Sequence, residues 1–389
     1  MGKQQVIDFR ARGHSDWFIL LGVLGMMFFS VAFVYSASAG FSAGRTGSAE
    51  TFFWSHLIRI VAGVAVLLIF ARIDYRRLER WSKPLLVVAL GMLLYVLFEG
   101  AQIKGASRWI NLGFISFQPS ELAKFALVFH LGVLLAQKRS YLDDFKFGVL
   151  PMLLWIGAVV GLVALQPNYS TASVIALLAF GMLFLGGIRL RHLAAVLLPV
   201  IAAGVLYGMS AEYRMERLGR FFGMHGGETT MIESAGYQLK QGLLAFGSGG
   251  LVGVGPGQSR QRLFLPEPFG DFIFAIIGEE YGFIGALLLL SVFGLLMWRG
   301  FLVAREAPDP LGRNLAGGIT LAIGLYALVN AGVTTGVLPT TGLPMPFVSY
   351  GGSSVLFSAA AVGLLLNISR AANVMPFAPE DRPTEGGKT

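Results

Sequence analysis

Cysteine is absent from the 389-residue chain, which excludes disulfides and thiolate metal sites. Charge is scarce as well. Asp, Glu, Lys and Arg together make up 13% of the residues, where a soluble domain usually carries about 25%. So small a charged fraction cannot cover a water-facing surface, and the surface must face lipid. The five histidines (His14, His56, His130, His192 and His225) lie far apart and show no ligand spacing. A metal held by protein ligands alone is therefore not expected, although carboxylates leave room for a divalent cation bound together with substrate phosphates.

What the chain has in quantity is apolar surface, at 55% of residues and a mean hydropathy of +0.67. Spanning a bilayer takes about 20 predominantly apolar residues. Ten such runs occur, near 17–36, 54–71, 84–99, 119–136, 148–166, 171–188, 192–209, 271–298, 314–335 and 350–369. The expectation is an all-α integral membrane protein of about ten transmembrane helices. Residues 1–370 form a single membrane domain with a large outer loop, 210–270, between the seventh and eighth helices, and residues 371–389 form a flexible tail. The first span carries Ala37-Ser38-Ala39, which resembles a cleavage site, but its apolar stretch is longer than that of an ordinary signal peptide, so an uncleaved anchor is expected.

The net charge of +8 would suit a nucleic-acid partner, but its placement points elsewhere. Ten spans put the loops alternately on two sides, and 19 of the 30 Lys and Arg fall on the side holding both termini. By the positive-inside rule that side is the cytoplasm, and no nucleic-acid partner is expected.

Three outward segments are richer than loops need to be. The first runs from Gly105 to Gly113 and on through Gln118-Pro-Ser-Glu-Leu-Ala-Lys124. Glu121 and Lys124 share a helix face, and charge at membrane depth costs about 3 kcal/mol or more and is usually functional. The alternative is a structural ion pair, with Trp109 as an interfacial aromatic. Arg108 and Lys124 are candidates for binding a substrate phosphate. The second segment pairs an expected surface helix, Tyr237–Phe246, with the glycine-rich Gly247–Gly257, read either as a backbone nest for an anion or as a hinge. In the third, Leu265–Gly285, Asp271 opens the eighth span and is either a helix cap or a catalytic carboxylate. Glu279, about 12 Å further along a continuous helix, and Glu280 are read as pairing with Arg59 or Lys124, or as functional.

Together with Gly342-Leu-Pro-Met-Pro-Phe-Val-Ser-Tyr-Gly-Gly-Ser-Ser354, these segments in this order resemble the SEDS family of peptidoglycan polymerases, from about residue 15 to Arg370. The resemblance implies a glycosyltransferase that joins lipid II units into glycan strands on the outer face of the bacterial cytoplasmic membrane. It places the family's essential aspartate at Asp271, with Arg108, Trp109, Glu121, Lys124, Glu279, Ser349 and Ser353 as substrate-binding candidates, to which Arg59, a cation within the second span, is added for its charge. The wording of Ser259–Phe269 and Thr334–Gly342 leans towards the division members, and hence the septum, rather than the elongation members. Two departures stand out: Asn168, where the family commonly has Asp, and Gly270, where Thr is frequent. No Ser-x-x-Lys motif is present for acyl transfer. A class B penicillin-binding protein is therefore implied as the crosslinking partner, alongside other divisome membrane proteins and membrane lipid. Two rival functions stay open, a lipid flippase and a non-catalytic scaffold.

Overall fold

The structure is a computed structural model and describes residues 15–99, 101–103, 106–111, 116–209 and 235–372. Residues 373–389 of the expected tail 371–389 and residues 210–234 of the expected loop 210–270 lie outside these residues. Ten long helices follow the ten expected runs: α1 Trp17–Thr46, α2 Thr51–Arg72, α3 Ser82–Glu99, α4 Pro119–Gln137, α5 Leu150–Leu165, α6 Tyr169–Leu185, α7 Leu190–Met209, then, after α8 (Ala235–Gly249), α9 Ile273–Glu306, α10 Pro310–Thr334 and α11 Gly352–Ala372. Eight of these runs are long and apolar enough to cross a membrane, and Tyr169–Leu185 and Leu190–Pro199 are shorter apolar stretches.

Local chemistry sets the helix starts. The Asp16 carboxylate accepts from the amides of Phe18 and Ile19 at 3.0 and 3.1 Å and caps α1. Pro119 and Pro310 occupy the first turns of α4 and α10, where a missing N–H costs nothing.

The helices form two classes by burial. The apolar windows of α4, α10 and α11 are 83%, 72% and 72% buried, whereas those of α1, α2, α5 and α9 are a third buried or less. The first three are the centre, packing on one another and on α2, α6 and α9. The others turn leucine, phenylalanine and tryptophan outward, as a lipid-facing surface requires.

Two features depart from the expected helices and loops. Residues Ala101–Ile103, Ala106–Asn111 and Ser116–Phe117 pair as a small antiparallel sheet, β1-β2-β3, in a segment read as loop. In addition, α9 is broken. Its 34 residues would run about 50 Å if straight, well beyond the ~30 Å hydrocarbon core, and at Gly282 the backbone leaves helical geometry at φ 67°, ψ −166°. No broken helix was expected from the sequence.

At the end of the bundle holding Asp16, ion pairs tie helix ends together. Arg299 near the end of α9 donates two hydrogen bonds to Asp16 Oδ2, at 2.8 and 2.5 Å, and Ser369 of α11 accepts from the Asp16 amide at 3.1 Å. Asp309 caps α10 through the Gly312 amide at 2.7 Å and accepts from Tyr75 Oη at 2.5 Å and Arg76 Nε at 2.8 Å. Burial pushes the Asp309 carboxyl up, but these hydrogen bonds and the Arg76 charge outweigh it and hold the group below the usual carboxylate range. A folded pKa below the unfolded one stabilises the fold fully above the unfolded value of about 3.9. The contribution is lost as pH falls through the lower folded value. Asp309→Asn, which can still cap, should therefore lower stability at pH 7 by about 1–3 kcal/mol. The gap to wild type should close as the pH falls below about 4. Thermal melts of both proteins in detergent across pH 3–7 check this, and a constant gap would contradict it.

A candidate active site around Asp271

Asp271 lies at the bundle end opposite Asp16, where α4, α9 and α11 begin and α10 ends. The residue directly preceding the first helical turn of α9 is Phe272, and it makes no side-chain cap bond. The segment around Asp271 is instead fixed through its main-chain carbonyls. The Tyr350 amide donates to the Phe269 carbonyl at 2.9 Å, Ser349 Oγ to the Gly270 carbonyl at 2.8 Å, and Asn330 Nδ2 to the Asp271 carbonyl at 2.8 Å. The same Asn330 nitrogen donates to the Leu343 carbonyl at 2.8 Å, so one amide ties α10, Asp271 and the loop before α11 together. The approach is close, since a methyl on Gly342 would come to 3.2 Å from Asp271 Oδ2.

Around this knot sit the other candidates. Ser353 Oγ accepts from the Gln118 amide at 2.9 Å and fixes the entry to α4. One turn into α4, Lys124 Nζ and Glu121 Oε2 form a buried ion pair at 2.7 Å, and Lys124 stands over the Tyr326 ring at 3.8 Å. Tyr326 and Asn330 are four apart on α10, so they are neighbours on one face, roughly 6 Å apart. The ion pair thus lies about one helical turn deeper than the Asp271 carbonyl. Arg59 of α2 is stacked on the Tyr350 ring at 4.3 Å, and Tyr350 packs edge-on against Phe269 and Phe52. Asp271, Ser349, Ser353, Arg59, Glu121 and Lys124 therefore converge on one end of the central helices.

Arg108 and Trp109 are on β2. Arg108 donates to the carbonyls of Gln166, at 3.4 Å, and Pro167 and so clasps the turn between α5 and α6. Burial lowers its pKa, yet a guanidinium stays charged. Trp109 is half-buried opposite Ala101. Neither makes a described contact with the Asp271 knot. At the same turn, Asn168 accepts from Thr171 Oγ1 at 2.8 Å, a local role that needs no charge.

Glu279 and Glu280 pair with neither Arg59 nor Lys124. Glu279 accepts from Ser248 Oγ at 3.2 Å, Ser259 Oγ at 2.5 Å and the amides of Arg260 and Gln261 at 3.1 and 3.2 Å, while Glu280 accepts from Ser36 Oγ at 2.5 Å. The expected geometry put Asp271 and Glu279 on one helix, whereas α9 begins only at Ile273 and the loop's hydroxyls and amides take up Glu279. Gly247–Gly257 is likewise neither nest nor hinge. Its amides at Val254 and Gly255 donate to the carbonyls of Glu279 and Glu280 at 3.0 Å, and its carbonyls at Gly250 and Leu251 accept from Phe283 and Ile284 at 2.9 and 3.1 Å.

Reading the sequence missed Asn330, Tyr326 and Tyr350. Asn330 carried a usable signal, because an amide in the middle of the apolar run Ala327-Leu-Val-Asn-Ala331 needs a reason. Among the described residues no group of three or more His, Asp or Glu converges to hold a metal.

The fold and this site define a polytopic integral membrane protein with a carboxylate set at the mouth of its central helices. The family model described as cell cycle protein, which takes in FtsW, RodA and SpoVE, matches residues 16–374, and the chain belongs to that family, the SEDS family. A probable peptidoglycan glycosyltransferase FtsW from Trichlorobacter lovleyi is 37% identical, covering 94% of this chain and 96% of the relative. Among solved structures, a protein from work on structural coordination of polymerization and crosslinking by a peptidoglycan synthase complex is 28% identical with a TM-score of 0.75, covering 92% of this chain and 98% of the other. The rod shape determining protein RodA of Thermus thermophilus is 28% identical with a TM-score of 0.68, covering 92% and 97%.

If Glu279 organises the loop rather than binding substrate, Glu279→Gln should destabilise the protein. The glutamine amide brings two donors to a place already surrounded by four. The expected loss is about 1–3 kcal/mol or more, read as a lower thermal midpoint. An unchanged melt with lost activity would return Glu279 to the list of substrate ligands.

Proposed function

We propose that the protein is an inverting peptidoglycan glycosyltransferase that polymerises lipid II on the outer face of the bacterial cytoplasmic membrane, with Asp271 as general base. The acceptor sugar's 4-hydroxyl attacks the anomeric carbon of the lipid-linked donor. A new glycosidic C–O bond forms, the bond to the lipid pyrophosphate breaks, and the hydroxyl proton passes to Asp271. A hydroxyl is a poor nucleophile until that proton is taken. The leaving pyrophosphate is already anionic and needs cations more than an acid. Arg59, stacked beside the Asp271 knot, is the best-placed candidate, with Lys124 deeper and Arg108 on the β-sheet. A divalent ion held between the pyrophosphate and a carboxylate would add the same kind of charge stabilisation. One carboxylate suffices, unlike the pair used in glycoside hydrolysis.

The observation that supports this reading is the anchoring of the Gly270–Asp271 backbone by Ser349 and Asn330 through main-chain carbonyls, which holds the segment carrying the carboxylate at one end of the central helices. A flippase needs a polar path through the bundle. Here Lys124 is paired with Glu121, and Glu279 is taken up by the loop, which leaves those groups poor candidates for lining one. The septum is the proposed site of action, supported by 37% identity to the FtsW relative against 28% to RodA. A class B penicillin-binding protein and other divisome membrane proteins are the proposed partners.

Asp271→Asn separates catalysis from support. It keeps size and much hydrogen bonding, and loss of a positioned base costs about 10²–10⁴-fold in rate. Glycan-chain formation from lipid II should fall by that factor with an unchanged melt, and near-wild-type polymerisation by the folded variant would end the catalytic reading. The proposed sidedness has its own test. Cysteines introduced at Ser15 and Ser234 should be labelled by an impermeant reagent in intact cells only at Ser234, and labelling at Ser15 would reverse the topology.

A further inference from the structure

At the end of the bundle opposite Asp271, the segment from Arg76 to Lys83, α4 and α5 line an open cavity of about 950 Å³. That is within the usual range of ligand sites, about 300–1,000 Å³. Its lining is markedly basic. Arg76 spends its charge on Asp309, but among the described residues Arg77, Arg80 and Lys83 form no ion pair and their side chains are exposed. The one acid in the lining, Glu79, accepts from Gln137 Nε2 at 2.8 Å and leaves the cations in excess.

The inner wall adds two further features. His130 is 4% exposed. Its Nδ1 lies 3.2 Å from Ser82 Oγ, while its Nε2 is buried with no hydrogen-bond partner. Trp155 stands edge-to-face against the imidazole at 5.2 Å and, with Val133 and Leu134, gives the cavity an apolar side. Cations at the rim, an unpartnered ring nitrogen in the wall and an apolar side between the central α4 and the lipid-facing α5 together match an anionic head joined to an apolar body.

We propose that this cavity binds a phosphate-bearing anion, held by Arg77, Arg80 and Lys83. The apolar side favours the headgroup of an anionic phospholipid as the source over a free phosphate. Basic pockets between transmembrane helices on the cytoplasmic side recognise such headgroups, and placing this end in the inner leaflet rests on the sidedness proposed above. The function of the site is to seat one lipid against α4, whose other end carries Glu121 and Lys124.

The test uses the full chain in detergent and reads binding, so it is independent of polymerase activity. Native mass spectrometry with added phosphatidylglycerol or phosphatidylcholine measures retained lipid, and inorganic phosphate is added in a competition arm. Wild type should retain phosphatidylglycerol at least tenfold more tightly than phosphatidylcholine. Arg80→Gln/Lys83→Gln should lose that preference by at least tenfold, with an unchanged thermal midpoint in lipid-free detergent because both side chains are exposed. Arg77→Gln serves as a second, single-site variant with the same expectation. Saturable competition by millimolar phosphate without lipid preference, lost in the double variant, would keep the anion site and assign it to a free phosphate. Equal retention by wild type and both variants, or no binding of either probe, would overturn the proposal.

Discussion

Within a bilayer every backbone N–H and C=O must find a partner inside the protein, because lipid supplies none. The break at Gly282 would leave the carbonyls of Glu279 and Glu280 and the amides of Phe283 and Ile284 without their helical partners. The Gly250–Gly255 segment takes up all four, donating from Val254 and Gly255 and accepting at Gly250 and Leu251. The contact is so close that a Cβ on Gly253 would sit 2.2 Å from the Glu280 carbonyl, and Gly253 itself has φ 87°. This exchange lets a helix too long for the membrane divide. The first piece, Ile273–Tyr281, packs separately on α8 through Phe246 and Phe274, and Asp271 lies two residues before it.

The acids near that end have different roles, and their partners distinguish them. Glu279 is surrounded by two hydroxyls and two amides, and Glu121 is joined to Lys124 in the core. Both are charges whose removal would leave buried donors or a buried cation unpaired, which costs stability. At Asp271 the anchoring bonds described run to the main-chain carbonyls of residues 269–271, from Tyr350, Ser349 and Asn330.

The ten spans were legible because lipid demands long apolar runs and water-facing loops collect the basic residues, both of which are compositional signals. The convergence of Asp271, Ser349, Ser353 and the Glu121–Lys124 pair followed from the motifs. What stayed hidden depends on three-dimensional pairing. The β1-β2-β3 sheet is made of strands of two to six residues, too short to show a period. Gly282 lies among Gly278 and Gly285, and a glycine that breaks a helix looks the same in sequence as one that lets helices pack. Glu279 was placed relative to Asp271 by helical arithmetic, but the helix begins at Ile273, after Asp271. Arg108 was read by its charge, whereas its position in β2 hands it to the Gln166–Pro167 carbonyls.

The two ends of the bundle are built on different principles, and this bears on where chemistry can occur. At the Asp16 end, charged side chains join helix ends directly: Arg299 of α9 to Asp16 of α1, and Arg76 to Asp309 at the head of α10. Pairs of this kind fix the spacing of α1, α9, α10 and α11. At the Asp271 end the helices are joined through loops, whose hydrogen bonds go mostly to backbone: Ser353 to Gln118, Ser349 to Gly270, and Asn330 to Asp271 and Leu343. A loop held through its backbone can still present side chains to a ligand, while its position is set by the rigid helices beneath it. Because the apolar windows of α4, α10 and α11 are 72–83% buried, their loop-bearing ends rest on well-packed helices. Placing Asp271 there, near Arg59 stacked on Tyr350, suits the general-base role proposed for it, since a reacting carboxylate must be positioned before its substrate arrives.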